Sequence, residues 1–406
     1  MTALPRPEPV GEFAYRAYSY LSKDTDARRF AMSPMFDRVP SRQPELEGEA
    51  LQTLNTTLAQ SPIISAHDHL GLRPLEPADY IPYRHQAREI TAYEGLLAAG
   101  VDAFFDGGPA GVTMNHSHAG WGWEDTIYEI GLRMADWAHS GIVDLILDTE
   151  ALTTKRAGRR LGIVLTLEAA TPIGNEIDKL DVLYGLGVRS MGISYSESNA
   201  LGSGLAETAD GGLTRFGREC VRRMNDLGIL IDVSHCGDRT ALDVIEASTA
   251  PVSITHAGAR AVWPTRRMKP DDVIRAMAES GGFIGIEAAP NTTRTSAEGE
   301  HDLDSVRRHL EHCIELVGVE HVALGPDTHF GDHSAWHRHF SEALSSKNRP
   351  GDPAFTRTEF VHGAENPAEA SRNMLASLAA RGYGAADLAA IAGGNVIRVA
   401  RESWIR

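Results

Sequence analysis

The sequence predicts an α/β protein: a (β/α)8 TIM barrel with an N-terminal arm and C-terminal helices. Three observations lead there. Eight short apolar runs alternate, for the most part, with stretches of helical spacing. Several of those runs stop at a histidine or a carboxylate, and the C-terminal strand edge of α/β sheets and barrels is where ligands and catalytic groups collect. No Gly-x-Gly-x-x-Gly turn interrupts the series, which favours a barrel over a doubly wound sheet.

The totals agree with this reading. A chain of 406 residues, 42% hydrophobic, can bury a large core. Its net charge of −16 argues against a nucleic-acid partner and against a polybasic membrane anchor. Cys220, Cys236 and Cys313 are far apart and form no CxxC, which fits a reducing compartment without a disulfide framework. No stretch approaches the roughly 20 apolar residues of a membrane helix. The opening MTALPRPEPVGEF lacks a basic region followed by an apolar one, so a cytoplasmic location is the default expectation.

Residues 1–50 read as an arm carrying an aromatic patch of Phe13, Tyr15, Tyr18, Tyr20 and Leu21; residues 51–406 read as one barrel domain with its C-terminal helices. Leu51–Ala59 is a predicted helix leading into strand one, Ile63–Ala66, which runs into His67-Asp68-His69. Alternate residues of an extended chain point the same way, so His67 and His69 can reach one ion. A second triplet, His116-Ser117-His118, follows no apolar run and reads as a loop. Gly100–Phe105 is strand two and Trp123–Ala138 a helix. Strand three, Gly162–Leu167, ends at Glu168, a carboxylate expensive to bury unless a cation or donor meets it. A metal ligand and the cap of the following turn are both open readings for it.

Lys179–Leu186 is a helix stopped by Gly187, and Val188–Ser194 is strand four, ending at Tyr195. Gly211–Leu227 is an amphipathic helix with Thr214 as cap and Gly228 as stop. Ile229–Val233 and Val252–Thr255 flank the helix Asp238–Ala247, a parallel βαβ unit whose two strands deliver His235 and His256. A helix from Pro270 to Ser280, strand seven (Gly282–Ile286), a helix over Leu303–Leu316 and strand eight (His321–Leu324) lead to Asp327. Residues 331–365 read as a polar insertion whose His333, His337 and His339 lie in a solvated loop. Pro367–Ala380, Ala385–Ile391 and Val396–Glu402 are terminal helices, the last set off by Gly393-Gly394-Asn395. One rim should then hold His67, His69, Glu168, Tyr195, His235, His256 and Asp327.

Several motifs together resemble the membrane dipeptidase (renal dipeptidase) family of zinc peptidases. They are ISAHDHL, LEAATPIGNEIDKLDVLYGLGVRSMGISYSESN, GLTRFGRECVRRMNDLGILIDVSH with ITHAGARAVWPTRRMKPDD, LVGVEHVALGPDTHFG and IAGGNVIRVARE. The likeness runs over roughly residues 60–402, and the 21 residues from His235 to His256 match the family spacing. It implies a metal-dependent hydrolase with two zinc ions per chain, a small dipeptide-like substrate and a homodimer. By resemblance, His67 and His69 hold the first ion, Glu168 bridges, and His235 and His256 hold the second. Asp327 would take the proton of the metal-bound water and pass it to the leaving amine. Arg267 would bind the substrate's terminal carboxylate; an ion pair with Asp271 or Asp272 is its alternative.

Three departures from the family pattern stand out. His69 replaces Asp, Tyr195 replaces a histidine that contacts the scissile group, and Thr328-His329 replaces Phe-Asp. They point to a divergent member. An amidohydrolase or biosynthetic enzyme acting on a non-dipeptide amide, and a non-catalytic binding relative, remain alternatives. Asp327 and the metal positions argue against the last.

Overall fold

The computed structural model describes residues 2–3, 13–22, 28–108, 122–156, 158–344 and 354–404. Eight apolar segments form strands: β1 (Ile64–Asp68), β2 (Ala103–Asp106), β3 (Leu161–Leu167), β4 (Val188–Gly192), β5 (Leu230–Asp232), β6 (Val252–Ala257), β7 (Ile284–Ile286) and β8 (Val322–Leu324). Every residue in them is buried, as parallel strands covered on both faces require. They pair in parallel in the order β1 to β8. Past β8 the chain returns to β1: Asp327 N donates to His67 O at 3.1 Å and His69 N to Thr328 O at 3.4 Å. The result is a nearly closed (β/α)8 barrel.

A ninth strand, Val143–Leu145, escaped the sequence reading. It pairs with the first half of β3, at Leu161–Ile163, while β4 takes the second half of that edge. Three partly buried residues carry too little apolar signal to stand out from the preceding helix.

The principal helices are α1 (Gly48–Gln60), α2 (Trp123–Ser140), α3 (Lys179–Gly185), α4 (Arg215–Leu227), α5 (Asp238–Ala247), α6 (Asp271–Glu279), α7 (Leu303–Val317), α8 (His333–Leu344), α9 (Pro367–Ala379), α10 (Ala385–Ala389) and α11 (Asn395–Ser403). Residues 211–213 fall outside α4 because Thr214 caps it, its side chain accepting from Gly217 N at 2.9 Å. Gly228 ends it with φ 77, a left-handed conformation that costs glycine nothing. A wide turn over Ala390–Gly394 joins α10 to α11.

One expectation needs revision here. Residues 331–365 are not all loop: the chain turns into α8, and His333 is buried while His339 is exposed. The polar sequence hid this because α8 buries His333 and Trp336, with His337 half-buried, rather than an aliphatic stripe. His116 and His118 lie outside the described residues.

In the arm, Tyr15 Oη and Tyr18 N both donate to Asp136 Oδ1 at 2.6 Å, and Tyr93 Oη donates to Oδ2 at 2.7 Å. One α2 carboxylate thus gathers the aromatic patch onto the barrel. Cys220, Cys236 and Cys313 are free and buried. Among the described residues no helix is long and apolar enough to cross a membrane.

Losing the α4 cap exposes an unmet N–H, so Thr214→Ala should lower stability by about 1 kcal/mol. A chemical-denaturation midpoint that does not move would contradict the assigned cap.

Candidate metal centre

The C-terminal ends of β1, β3, β5 and β6 turn their polar residues toward one point above the barrel. His67 is the fourth residue of β1 and His69 follows its end, so both rings reach the rim. Glu168 comes directly after β3, His235 follows β5, and His256 lies inside β6, which runs to Ala257.

Glu168 sits between two histidine pairs. Its Oε1 is 4.0 Å from His67 Nε2 and 3.7 Å from His69 Nε2, whereas its Oε2 is 3.7 Å from His235 Nε2. His235 Nε2 and His256 Nε2 approach to 2.9 Å. Two donor groups result, His67–His69–Glu168 and Glu168–His235–His256, each with ligand atoms within 4.8 Å of one another. Asp327 Oδ1 lies 3.1 Å from His69 Nε2 and 3.6 Å from His67 Nε2. Its φ of 53 is rare for a residue with a side chain, a distortion of the sort that collects at functional sites.

The supports are equally specific. Asp232, inside β5, accepts from Ser234 Oγ and Thr255 Oγ1, both at 2.6 Å, and Thr255 Oγ1 is 2.9 Å from His256 Nδ1. That chain holds the outer edge of His256 and aims its Nε2 inward. Asp68 accepts from Ser65 Oγ at 2.6 Å, Thr328 N at 2.8 Å and Thr328 Oγ1 at 2.9 Å, tying the end of β1 to the segment after β8. Gly107 makes room: a Cβ there would come within 2.5 Å of the His67 ring and 3.0 Å of Glu168 Oε1.

Tyr195 stacks on His235, ring centroids 4.0 Å apart. Burial pushes its phenol well above the ordinary value, so it keeps its proton. Arg267 does not pair with Asp271 or Asp272. It forms an ion pair with Glu287 and donates to His256 O at 2.8 Å and Ser234 O at 3.3 Å, which fixes it across the ends of β5 and β6. Glu287 is fully buried and was overlooked in the sequence. The signal was there, since it follows the apolar run GFIGI just as Glu168 follows GIVLTL.

Asp106, the last residue of β2, was also missed. It accepts from Arg133 Nη1 at 2.9 Å and Gly108 N at 3.0 Å. Arg133, Arg73 and Arg84 form with Asp106, Glu129 and Glu89 a buried six-residue ion network behind the site.

The donor set fits divalent ions. Burial lifts the Glu168 carboxyl to about 8, because a charge there has only weak partners without a cation. His67 Nε2, which faces Glu168, is buried without a hydrogen-bond partner among the described residues. Imidazole nitrogens with a carboxylate suit ions of the Zn2+ type.

Burial would lower His67, but the Asp327 carboxylate 3.6 Å away and the charge of Glu168 outweigh this and raise it to about 9. In metal-free protein, His67 and Glu168 both hold protons that they release in the unfolded chain near 6.5 and 4.5. Where the native state binds more protons, stability falls as pH rises. Chelated protein should therefore lose melting temperature from pH 6.5 to 8, and divalent ions should restore it. A flat profile after chelation would contradict this charge balance.

Comparison with known proteins identifies the family. Residues 133–336 match the family model for membrane dipeptidase (Peptidase family M19). A Klebsiella pneumoniae protein, described as uncharacterised and encoded 5′ of pqqA, is 32% identical over 199 residues, 47% of this chain and 73% of the relative. An amidohydrolase from Pseudomonas aeruginosa shares the fold with a TM-score of 0.70 at 22% identity, covering 86% of this chain and 99% of that one. So does a metallo peptidase from Rhodobacter sphaeroides liganded with a phosphinate mimic of the dipeptide L-Ala-D-Ala, with a TM-score of 0.61 at 21% identity, covering 85% and 99%. The chain belongs to the membrane dipeptidase family, a family of metal-dependent hydrolases.

Proposed function

We propose that the protein cleaves the amide bond of a dipeptide or dipeptide-like substrate at a two-ion centre. The observation that carries this is Glu168, whose two oxygens face separate histidine pairs. His67 and His69 would hold one ion, His235 and His256 the other, with Glu168 shared; Zn2+ is the ion the family implies. Ions bound there would polarise the scissile carbonyl and make water acidic enough to attack at neutral pH.

The chain's own groups supply the rest. Asp327 Oδ1, held beside His67 and His69, accepts the proton from the attacking water and returns it to the leaving nitrogen. The Tyr195 hydroxyl keeps its proton and can donate to the oxygen that gains charge. Arg267, held by Glu287 and the Ser234 and His256 carbonyls, offers its charge and remaining N–H donors to a terminal carboxylate.

The three departures from the family pattern favour one refinement. His69, Tyr195 and His329 all alter the pocket, and the His329 ring lies tilted against His69 at 4.1 Å between centroids. A modified or unusual amide is therefore the second reading. Dipeptides with L or D C-terminal residues, tested beside amides lacking a terminal carboxylate, separate the two.

Asp327→Asn should cut kcat by about 10²- to 10⁴-fold with metal content unchanged, measured by steady-state kinetics and elemental analysis. Unaltered turnover would remove Asp327 from the reaction. Arg267→Ala alone strands the buried Glu287, so Arg267→Ala/Glu287→Gln is the better variant. It should raise KM for carboxylate-bearing dipeptides by about 10- to 100-fold, the loss of a hydrogen bond to a charged group. An equal effect on substrates without the carboxylate would contradict the assigned role.

A further inference from the structure

His329, His333 and His337 belong to neither Glu168-centred donor group, although His329 also comes within reach of His69 and Asp327. We propose that they form an additional metal site beside it, taking one divalent transition-metal ion with a preference for imidazole, such as Zn2+.

The fold brings them together from two elements. His329 lies in the segment after β8, two residues past Asp327. His333 and His337 are four residues apart on α8, so their side chains leave the same face. Ring centroids are 4.1 Å apart for His329 and His333, and 4.3 Å for His333 and His337. One nitrogen from each ring lies within 4.8 Å of the other two.

The distances suit an ion. His333 Nε2 and His337 Nε2 are 3.2 Å apart. Two ligands of a tetrahedral zinc, each bonded at about 2.0–2.1 Å, stand about 3.3 Å apart. His329 is only 3% exposed, and its Nε2 is buried with no hydrogen-bond partner among the described residues. Arg73 Nε donates to His329 Nδ1 at 2.9 Å, which leaves Nε2 as the nitrogen for a ligand. For Nε2 to bind an ion, the single hydrogen of the neutral ring moves from Nε2 to Nδ1 and the Arg73 contact gives way, leaving Arg73 paired with Glu89. The Arg73 charge works against a nearby cation, but it is already met by buried Glu89.

Packing alone would also bring three rings together, and metal counting separates the two cases. The full chain is stripped with chelator, reloaded with Zn2+, and weighed by native mass spectrometry alongside elemental analysis. Wild-type protein should carry one more ion per chain than His333→Gln/His337→Gln. Loading with Co2+ should give a visible band component that the double variant lacks. Equal ion counts and identical Co2+ spectra in the folded wild type and double variant would overturn the proposal. If the double variant does not fold, His337→Gln, at a half-buried position, serves alone. It should weaken binding of the last ion by at least about tenfold, and unchanged uptake would equally overturn the proposal. Glu168→Gln, altered only at the main centre, should retain this ion, so the two metal sites can fail independently.

Discussion

A carboxylate in the wrong solvent is the constraint on which this structure turns. Glu168 is carried by β3 into a buried rim where its neighbours are imidazole rings. In a medium of low polarity, an ionised carboxylate without a full set of donors is costly. A cation relieves that cost, and the surroundings are shaped for one. Gly107 gives up its side chain to the His67 ring, Asp232 steers His256 through Thr255, and Asp68 ties β1 to the segment that carries Asp327.

The rim is held from behind by charge as well as by packing. Arg133 joins Asp106, at the end of β2, to Glu129 and Glu89, and Glu89 in turn meets Arg73. Arg73 reaches His329 and lies over Trp336 of α8, 4.2 Å from the ring centroid. The network thus extends from the barrel wall to the histidines beside the main centre. It also gives the departures from the family pattern a common location. His69 and His329, each standing where the family has an aspartate, touch one another. Two negative charges are exchanged for two neutral rings on one side of the His67–His69–Glu168 group, while Glu168 and Asp327 keep theirs.

Much of the barrel was legible because its strands are short, mostly apolar and end in polar residues, a pattern that survives without any tertiary information. The βαβ unit from β5 to β6 and the cap at Thr214 are local and were read directly. The short strand Val143–Leu145 and the helix α8 were not. The first makes sense only against the edge of β3, and the second buries histidines and Trp336 instead of an aliphatic stripe. Asp106 and Glu287 carried the same strand-end signal as Glu168, but nothing in the sequence said which cations would meet them.

By itself the sequence determined which residue types end each strand, since periodicity and turn chemistry act over a few neighbours. It therefore delivered the parallel alternation and the roster of histidines and carboxylates at the rim. Only the tertiary structure decided which oxygen of Glu168 faces which pair, that Arg267 is held by Glu287, and that His333 and His337 lie beside His329. Those outcomes depend on distances between segments far apart in the chain, and such distances exist only once the barrel closes.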